Sequence, residues 1–556
     1  MDRGKDPHRP AAPRTHADLD REDALKGPCR PPPLAVPTCG DGVAARSRSD
    51  GDGVTLGHVP RAEPRLRDLR EHRVPDWFHD AKLGIFIHWG IFSIPAWAPR
   101  LGAVPDLVRD HFDELCVVTP YAEWYWNALR AAGTPTARHH AETYGANTPY
   151  ESFRGPFERM LERWDPGPWA DAFAAAGARY VVLVTKHHDG YLLWPSAHPN
   201  PRRPHWQSQR DVVGDLASAV RARGMRFGVY YSGGLDWTFE TEPIRNAAEM
   251  IASTPRDPAY AALVDAHYRE LISRVRPSVL WNDIGYPRGA GLARLFSDYY
   301  EAIGEGVVND RFYPATLMNR LAGFAPVAAL VNHLARRIML RPNHVFAPPR
   351  PPHWDFRTPE YAKYPDVRRE KWEATRGIGN SFGYCRNESE SELLGPDELV
   401  RGFADIVSKN GNLLLNVGPT GEGEIPEAQL SRLRALGAWL RKNGEAIYGT
   451  RPWRRASATT GEGIEIRYTR TKDAVYAILL GAPTTARVTI PELGEAAGAK
   501  ATLLGYGELL AASEGSRLVV EWPPGLAAAP AYAVRVTGGR LASDTAERRA
   551  GAPAQP

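Results

Sequence analysis

The stretch Tyr180–Gly190 reads YVVLVTKHHDG. Its first five residues are apolar, mostly β-branched, and show no alternation with polar ones. That pattern marks a strand buried on both faces. The strand ends in a lysine, two histidines and an aspartate, so it delivers polar groups to one edge of a sheet. Downstream, Asp211–Gly224 (DVVGDLASAVRARG) carries a helical apolar period and stops at a glycine. A second apolar run follows at Arg226–Tyr231 (RFGVYY). Strand, helix and strand in that order make a right-handed parallel unit. Lys82–Ile87 (KLGIFI), Val279–Trp281 and Leu413–Asn416 are further buried strands of the same kind. A region of nearly 400 residues with this alternation predicts a (β/α)8-like TIM barrel, spanning 65–447. Its last helix starts at Pro426, stops at Gly444, and keeps Leu430, Leu433, Leu436, Trp439 and Leu440 on one face.

The flanks differ in texture. Residues 1–64 hold no aromatic ring, ten prolines, seven glycines and equal numbers of acidic and basic groups. Such a stretch cannot bury enough apolar surface to offset its chain entropy and is expected to be a disordered extension. It has neither the apolar core of a secretory signal nor the acid-poor composition of a transit peptide. After a link at Tyr448–Trp453, short β-rich runs (Ile464–Tyr468, Ala474–Leu480, Ala486–Ile490, Leu518–Trp522, Ala531–Val536) predict an antiparallel β-sandwich over 448–539. Residues 540–556 read as a disordered tail. One segment, 312–352, carries five arginines and no Asp, Glu or Lys. A surface loop, a helical insertion and translated non-coding sequence are its candidate readings.

Composition narrows the function. A net charge of +4 over 556 residues is too balanced for a dedicated nucleic-acid or membrane-surface protein. No apolar run is long enough to cross a membrane. Four cysteines form neither a disulfide framework nor a C-x-x-C metal spacing. Few cysteines and no visible signal favour the cytoplasm. Sixteen tryptophans and 22 tyrosines serve either a large core or a ring-binding cleft.

In a barrel the chemistry sits on the loops that follow the strands. Those loops hold His88-Trp89-Gly90, His187-His188-Asp189, Tyr230-Tyr231 and Asn282-Asp283. Adjacent residues leaving a strand point to opposite sides, so His187 and His188 are poor joint ligands of one metal. Hydroxyl recognition or a structural bond suits them better. Asp283, directly behind Trp281, is either a nucleophile or a helix cap. Glu360, after Pro359 in an aromatic loop, is a candidate acid or an ordinary first-turn carboxylate. Glu123, among Tyr121, Trp124 and Tyr125, is a ligand or a structural acceptor. Paired carboxylates among aromatic rings are the apparatus of glycoside hydrolysis.

These blocks resemble the α-L-fucosidases of glycoside hydrolase family 29. The resemblance runs from about Leu69 to Val536. It rests on Trp77-Phe78, Lys82–Gly90, Pro120–Tyr125, Thr185–Gly190, Gly228–Ser232, Leu280–Asp283 and Asn412–Pro419, in that order. It implies a retaining, metal-free and cofactor-free enzyme that acts on fucosylated oligosaccharides or glycoconjugates, with a homo-oligomer possible. By position it implies Asp283 as nucleophile and Glu360 as acid/base. It also implies His88, Glu123, Trp124, His187, His188, Tyr230 and Arg311 around the fucose, with Trp281 and Phe382 near its methyl group. The sequence departs from the family pattern in its first 64 residues and at Leu115–Val118, where relatives often carry aromatic residues, so that one pocket wall is expected to be more open. It departs most at 312–352, 41 residues set between Arg311 and the His353–Phe356 block. The lopsided composition of that insertion favours an artefact or unstructured loop over a lid.

Overall fold

The computed structural model describes residues 66–541 except 70, 103, 342–349 and 362–363. The expected disordered extension 1–64 lies outside the described residues, and so does the expected tail beyond Leu541. Seven parallel strands form one curved sheet: β1 (Leu83–Ile87), β2 (Tyr180–Lys186), β3 (Arg226–Tyr231), β4 (Val279–Asn282), β5 (Val307–Val308), β6 (Trp372–Gly377) and β7 (Gly411–Val417). Their order is β5-β4-β3-β2-β1-β7-β6. The gap between β5 and β6 is spanned by residues 355–360. Phe356 bridges Asn309 on one side, while Arg357 bridges Trp372 and Glu360 bridges Thr375 on the other, all parallel. This run serves as the eighth stave, so the barrel is eightfold but irregular.

The strands are buried on both faces. Phe86, Tyr180, Val182, Val184, Tyr230, Val279, Trp281, Phe356 and Leu414 fill the interior. Leu83, Ile85, Ile87, Val181, Leu183 and Val229 face outward against the helices. The helix Val212–Ala222 is capped by Asp211, whose side chain accepts from Gly214 N. Sequence reading missed β5 and β6: the first is two residues long, and the second (WEATRG) is too polar to read as a barrel strand. That polarity belongs inside. Glu373 is fully buried, accepting from Tyr180 Oη at 2.5 Å and Trp281 Nε1 at 3.1 Å.

A six-stranded antiparallel sheet and a three-stranded one follow, around their own apolar core. The first of these strands, Arg451–Thr459, begins where the sequence predicts only a link. A separate two-stranded pair joins Gly494–Glu495 to Arg540–Leu541, the latter inside the stretch expected to be tail. Trp439 Nε1 donates to Ala531 O at 2.8 Å, fastening the last barrel helix to this layer.

The insertion is not an unstructured loop in its described part. It forms helices Leu317–Leu321 and Ala325–Met339. They rest on the helix Ala247–Ala252, which follows β3, and on Val104–Asp110, which follows β1. Asn319 Nδ2 donates to Ile251 O at 2.8 Å, Ala248 N donates to Asn332 Oδ1 at 2.9 Å, and Arg336 Nη2 donates to Arg109 O at 2.9 Å. Charge bias hid two helix signals, the Thr316 cap and Pro326 in the first turn. In the segment Leu115–Val118, Val117 and Val118 bury against Leu107, Ala128 and Ala131.

Gly84 shows how tightly the interior is filled. A Cβ there would lie 2.4 Å from the Tyr180 ring and 2.9 Å from Leu414 Cδ1. Gly84→Val is expected to lower unfolding stability by about 1–3 kcal/mol. It should also move the Tyr180–Glu373–Trp281 chain; a urea midpoint equal to wild type would refute this packing account.

Candidate active site

Every predicted site residue except Glu360 follows or ends a strand, or lies on a loop packed over that end of the barrel. Asp283 is the first residue after β4. Its Oδ1 accepts from Arg311 Nη1 at 2.7 Å and from Ile284 N at 2.9 Å. Its Oδ2 accepts from Tyr230 Oη at 2.8 Å. Burial opposes the charge on Asp283, but the Arg311 cation and the hydrogen bonds from Arg311 and Tyr230 outweigh it and hold the pKa below the usual value. The group is therefore a carboxylate at neutral pH.

Glu360 ends the bridging run. Arg311 Nη2 donates to Glu360 Oε1 at 2.7 Å, so one guanidinium binds both carboxylates. Arg311 is in turn fixed by Thr358, Nε to Oγ1 at 3.0 Å and Nη2 to O at 3.1 Å. It also lies 4.7 Å over the Trp281 ring. The 41-residue insertion has not carried Glu360 away from Arg311.

The expectation that His187 and His188 diverge is corrected. Both lie beyond the end of β2, and their ring centroids are 4.0 Å apart. The turn is closed by Gly190 at φ 77, where a Cβ would meet Asp236 Oδ1 at 2.8 Å. Beneath it, buried Lys186 Nζ pairs with Asp236 Oδ2 at 2.9 Å and donates to Ser232 O at 2.8 Å, tying the β2 and β3 loops together.

Hydrogen bonding sets the histidine tautomers. Ser232 Oγ donates to Leu235 O at 2.7 Å, so its contact with His188 Nδ1 at 2.6 Å has the ring as donor. His188 Nε2 is then a bare lone pair, 4.0 Å from Asp283 Oδ2. Likewise, Asn416 Nδ2 donates to Phe382 O at 2.6 Å, which turns its Oδ1 toward His88 Nδ1–H at 2.6 Å. His88 Nε2 is therefore an acceptor too. Burial lowers the pKa of His88 to about 4 and of His188 to about 3, so both rings are neutral at pH 7. Burial also lowers the pKa of His187 well below the usual value, with His188 and His88 adding to it.

Glu123 lies fully enclosed beside these rings. Gly383 N donates to its Oε2 at 2.8 Å, and Ser381 Oγ at 3.3 Å. Trp124 meets His188 edge to face at 5.2 Å. Tyr230 stacks on Trp281 at 5.4 Å, and Phe382 meets His88 at 5.1 Å. Phe382 also touches Tyr121 and Tyr361, at 5.6 and 6.1 Å. The result is a polar floor of imidazoles and carboxylates with aromatic walls.

Sequence reasoning missed Asn416, Ser232 and Thr358, which orient His88, His188 and Arg311. Asn416 and Ser232 stand in strand-end blocks that were already singled out, and position was the available signal. Among the described residues, one His/Asp group is close enough to hold an ion: His72, His353 and Asp355. It lies outside this pocket and its atoms serve hydrogen bonds. His72 Nδ1 meets Asp355 Oδ1 at 2.8 Å, and Tyr300 Oη meets His353 Nε2 at 2.7 Å and Asp355 Oδ2 at 2.9 Å.

The family model described as Alpha-L-fucosidase matches residues 57–445. The bovine tissue alpha-L-fucosidase is 32% identical over 520 residues, covering 86% of this chain and 92% of that protein. The Branchiostoma floridae alpha-L-fucosidase is 30% identical over 485 residues, covering 84% and 92%. The Thermotoga maritima alpha-fucosidase, solved in complex with fucose, is 41% identical with a TM-score of 0.71, covering 86% of this chain and 100% of that one.

Glu123 gives a pH test. Burial raises its pKa from 4.5 to about 7, with Gly383 N–H and Ser381 opposing. Between those values the folded chain holds a proton that the unfolded chain has lost. Stability should therefore fall as pH rises from 4.5 to 7, by on the order of 3 kcal/mol from this group. Glu123→Gln should shrink the fall in denaturation midpoint between pH 5 and pH 8. An unchanged fall would remove Glu123 from this role.

Proposed function

The chain belongs to the alpha-L-fucosidase family of glycoside hydrolases, and on that premise we propose that it releases terminal α-L-fucose from glycans by a retaining double displacement. The observation that carries the mechanism is the single Arg311 guanidinium shared by Asp283 and Glu360. Sharing one such group supports the short carboxylate spacing of retaining enzymes, about 5–5.5 Å, over the wider spacing of inverting ones.

In the first step Asp283 attacks the anomeric carbon. The glycosidic C–O bond breaks, and Glu360 gives its proton to the departing oxygen. Arg311 occupies Oε1, so Oε2 is the atom that carries this proton. In the second step Glu360 takes a proton from water, the oxygen of that water attacks the same carbon, and Asp283 leaves. Fucose is released with its configuration retained. The Tyr230 hydroxyl and Arg311 hold Asp283 ionised and oriented for attack.

The sugar is held by complementary chemistry. The bare Nε2 atoms of His88 and His188 accept from fucose hydroxyls, and Glu123 accepts from another. Trp124 supports His188. Trp281 and Phe382 present apolar surface to the methyl group, contributing about 1–3 kcal/mol of preference over a sugar that carries a hydroxyl there.

Asp283→Ala is expected to lower kcat on 4-nitrophenyl α-L-fucoside by at least about 10³-fold, with partial recovery in azide as β-fucosyl azide. An α-configured azide, or full activity, would defeat the nucleophile assignment. Glu360→Ala should slow fucosyl glycans by about 10²–10⁴-fold and the nitrophenyl substrate much less. Equal losses on both would show that Glu360 is not the acid.

A further inference from the structure

The insertion carries a surface that catalysis does not use. Among the described residues, eleven large apolar side chains are exposed, and seven of them lie here: Leu317, Met318, Phe324, Leu330, Leu334, Ile338 and Leu340. Leu330, Leu334 and Ile338 are four residues apart, so they form one stripe along the helix Ala325–Met339. Their exposures are 57, 48 and 43%. The helix has no fully buried residue; Val327, Ala328, Val331, Asn332 and Ala335 take up its contact with the barrel.

The charge on this helix has one sign. His333, Arg337 and Arg341 are exposed beside the stripe, and the segment 312–352 contains no acid. The nearest acids on the supporting helices are already paired. Asp106 and Asp110 bind Arg109 at 2.9 and 3.2 Å, and Glu249 lies 3.6 Å from Arg245. A whole-chain charge of +4 conceals this local excess.

The geometry points to a docking face for an anionic lipid surface. An amphipathic helix with leucine and isoleucine on one face and arginines at its border lies in the interface between headgroups and acyl chains. Arginines beside such a helix gain from the negative potential of anionic lipids. A second copy of the chain fits less well. A twofold contact through this stripe would bring two basic faces together, with no acid in segment 312–352 of either copy to offset them.

The segment leading into the helix Ala247–Ala252 is bonded to the loop that carries Glu123 and Trp124, Asn127 Nδ2 donating to Ile244 O at 2.8 Å, so the docking face adjoins the candidate active site. Docking would hold the pocket at headgroup level, where lipid-anchored glycans present their sugars. That last step rests on the fucosidase reading; the docking itself does not.

The test is co-sedimentation of the full chain with vesicles of equimolar phosphatidylglycerol and phosphatidylcholine, and with phosphatidylcholine alone. Binding is expected to the anionic vesicles, to weaken in 0.5 M salt, and to fall at least tenfold in the double variant Leu334→Glu/Ile338→Glu. Arg337→Gln/Arg341→Gln should lower it severalfold. Hydrolysis of the soluble nitrophenyl fucoside should stay unchanged in both variants, which separates loss of docking from loss of fold or of catalysis. The inference is overturned if wild type ignores anionic vesicles or if the double glutamate variant binds as wild type. It is equally overturned if wild type elutes as a dimer that Leu334→Glu dissolves.

Discussion

Arg311 is the constraint on which the site depends. A guanidinium buried among aromatic rings needs its charge met, and two carboxylates from different parts of the chain meet it. Asp283 comes from the end of β4 and Glu360 from the bridging run. Thr358, two residues before Glu360, accepts from the same side chain, so the run is aligned by the arginine that it serves. Trp281 lies beneath the guanidinium, adding a cation–π contact. Removing the cation would leave the buried Asp283 carboxylate without its counter-charge, and the bridging run would lose what positions it.

Below this lies a layer of polar groups within the barrel. Lys186 and Asp236 neutralise each other, Glu373 gathers Tyr180 and Trp281, and Asn416 sets His88. Each stands where a purely apolar barrel would place a leucine. Their common effect is to fix the orientation of rings that line the pocket. Burial keeps the histidines neutral and raises the pKa of Glu123 and Glu373 to about 7. The pocket wall is thus made of hydrogen-bonding groups with little net charge, suited to a neutral ligand. Charge is concentrated at Asp283 and Arg311, side by side at the end of β4.

The fold was legible wherever burial imposes a simple pattern. YVVLV and KLGIFI must be strands because both of their faces are covered. β6 was not legible, because a strand facing a polar barrel interior carries Glu373 and Thr375 where the rule asks for valine. Candidate residues were legible by their place after strands. The pairing of His187 with His188 was not, since a strand rule fails one residue past the strand's end. Supporting groups such as Ser232 and Thr358 leave no mark of their own in sequence, because a hydroxyl becomes an orienting group only through its partner. The insertion was misread because its charge bias drew attention away from its caps and its four-residue apolar spacing.

The insertion ahead of the bridging run has a further consequence. It leaves and rejoins the barrel at pinned points: Ala315 N donates to Tyr286 O at 2.8 Å on the entry side, and Asp355 N donates to Val308 O at 3.0 Å on the return. What lies between closes a loop whose entropy grows only with the logarithm of its length, about 0.6 kcal/mol for each doubling. The position of Glu360 is therefore set by neighbouring strands and hardly by the number of residues that precede it. This makes the site between Arg311 and Glu360 a port where evolution can splice in whole helices. A new surface can be attached within reach of the pocket while the spacing of the two carboxylates stays as it was.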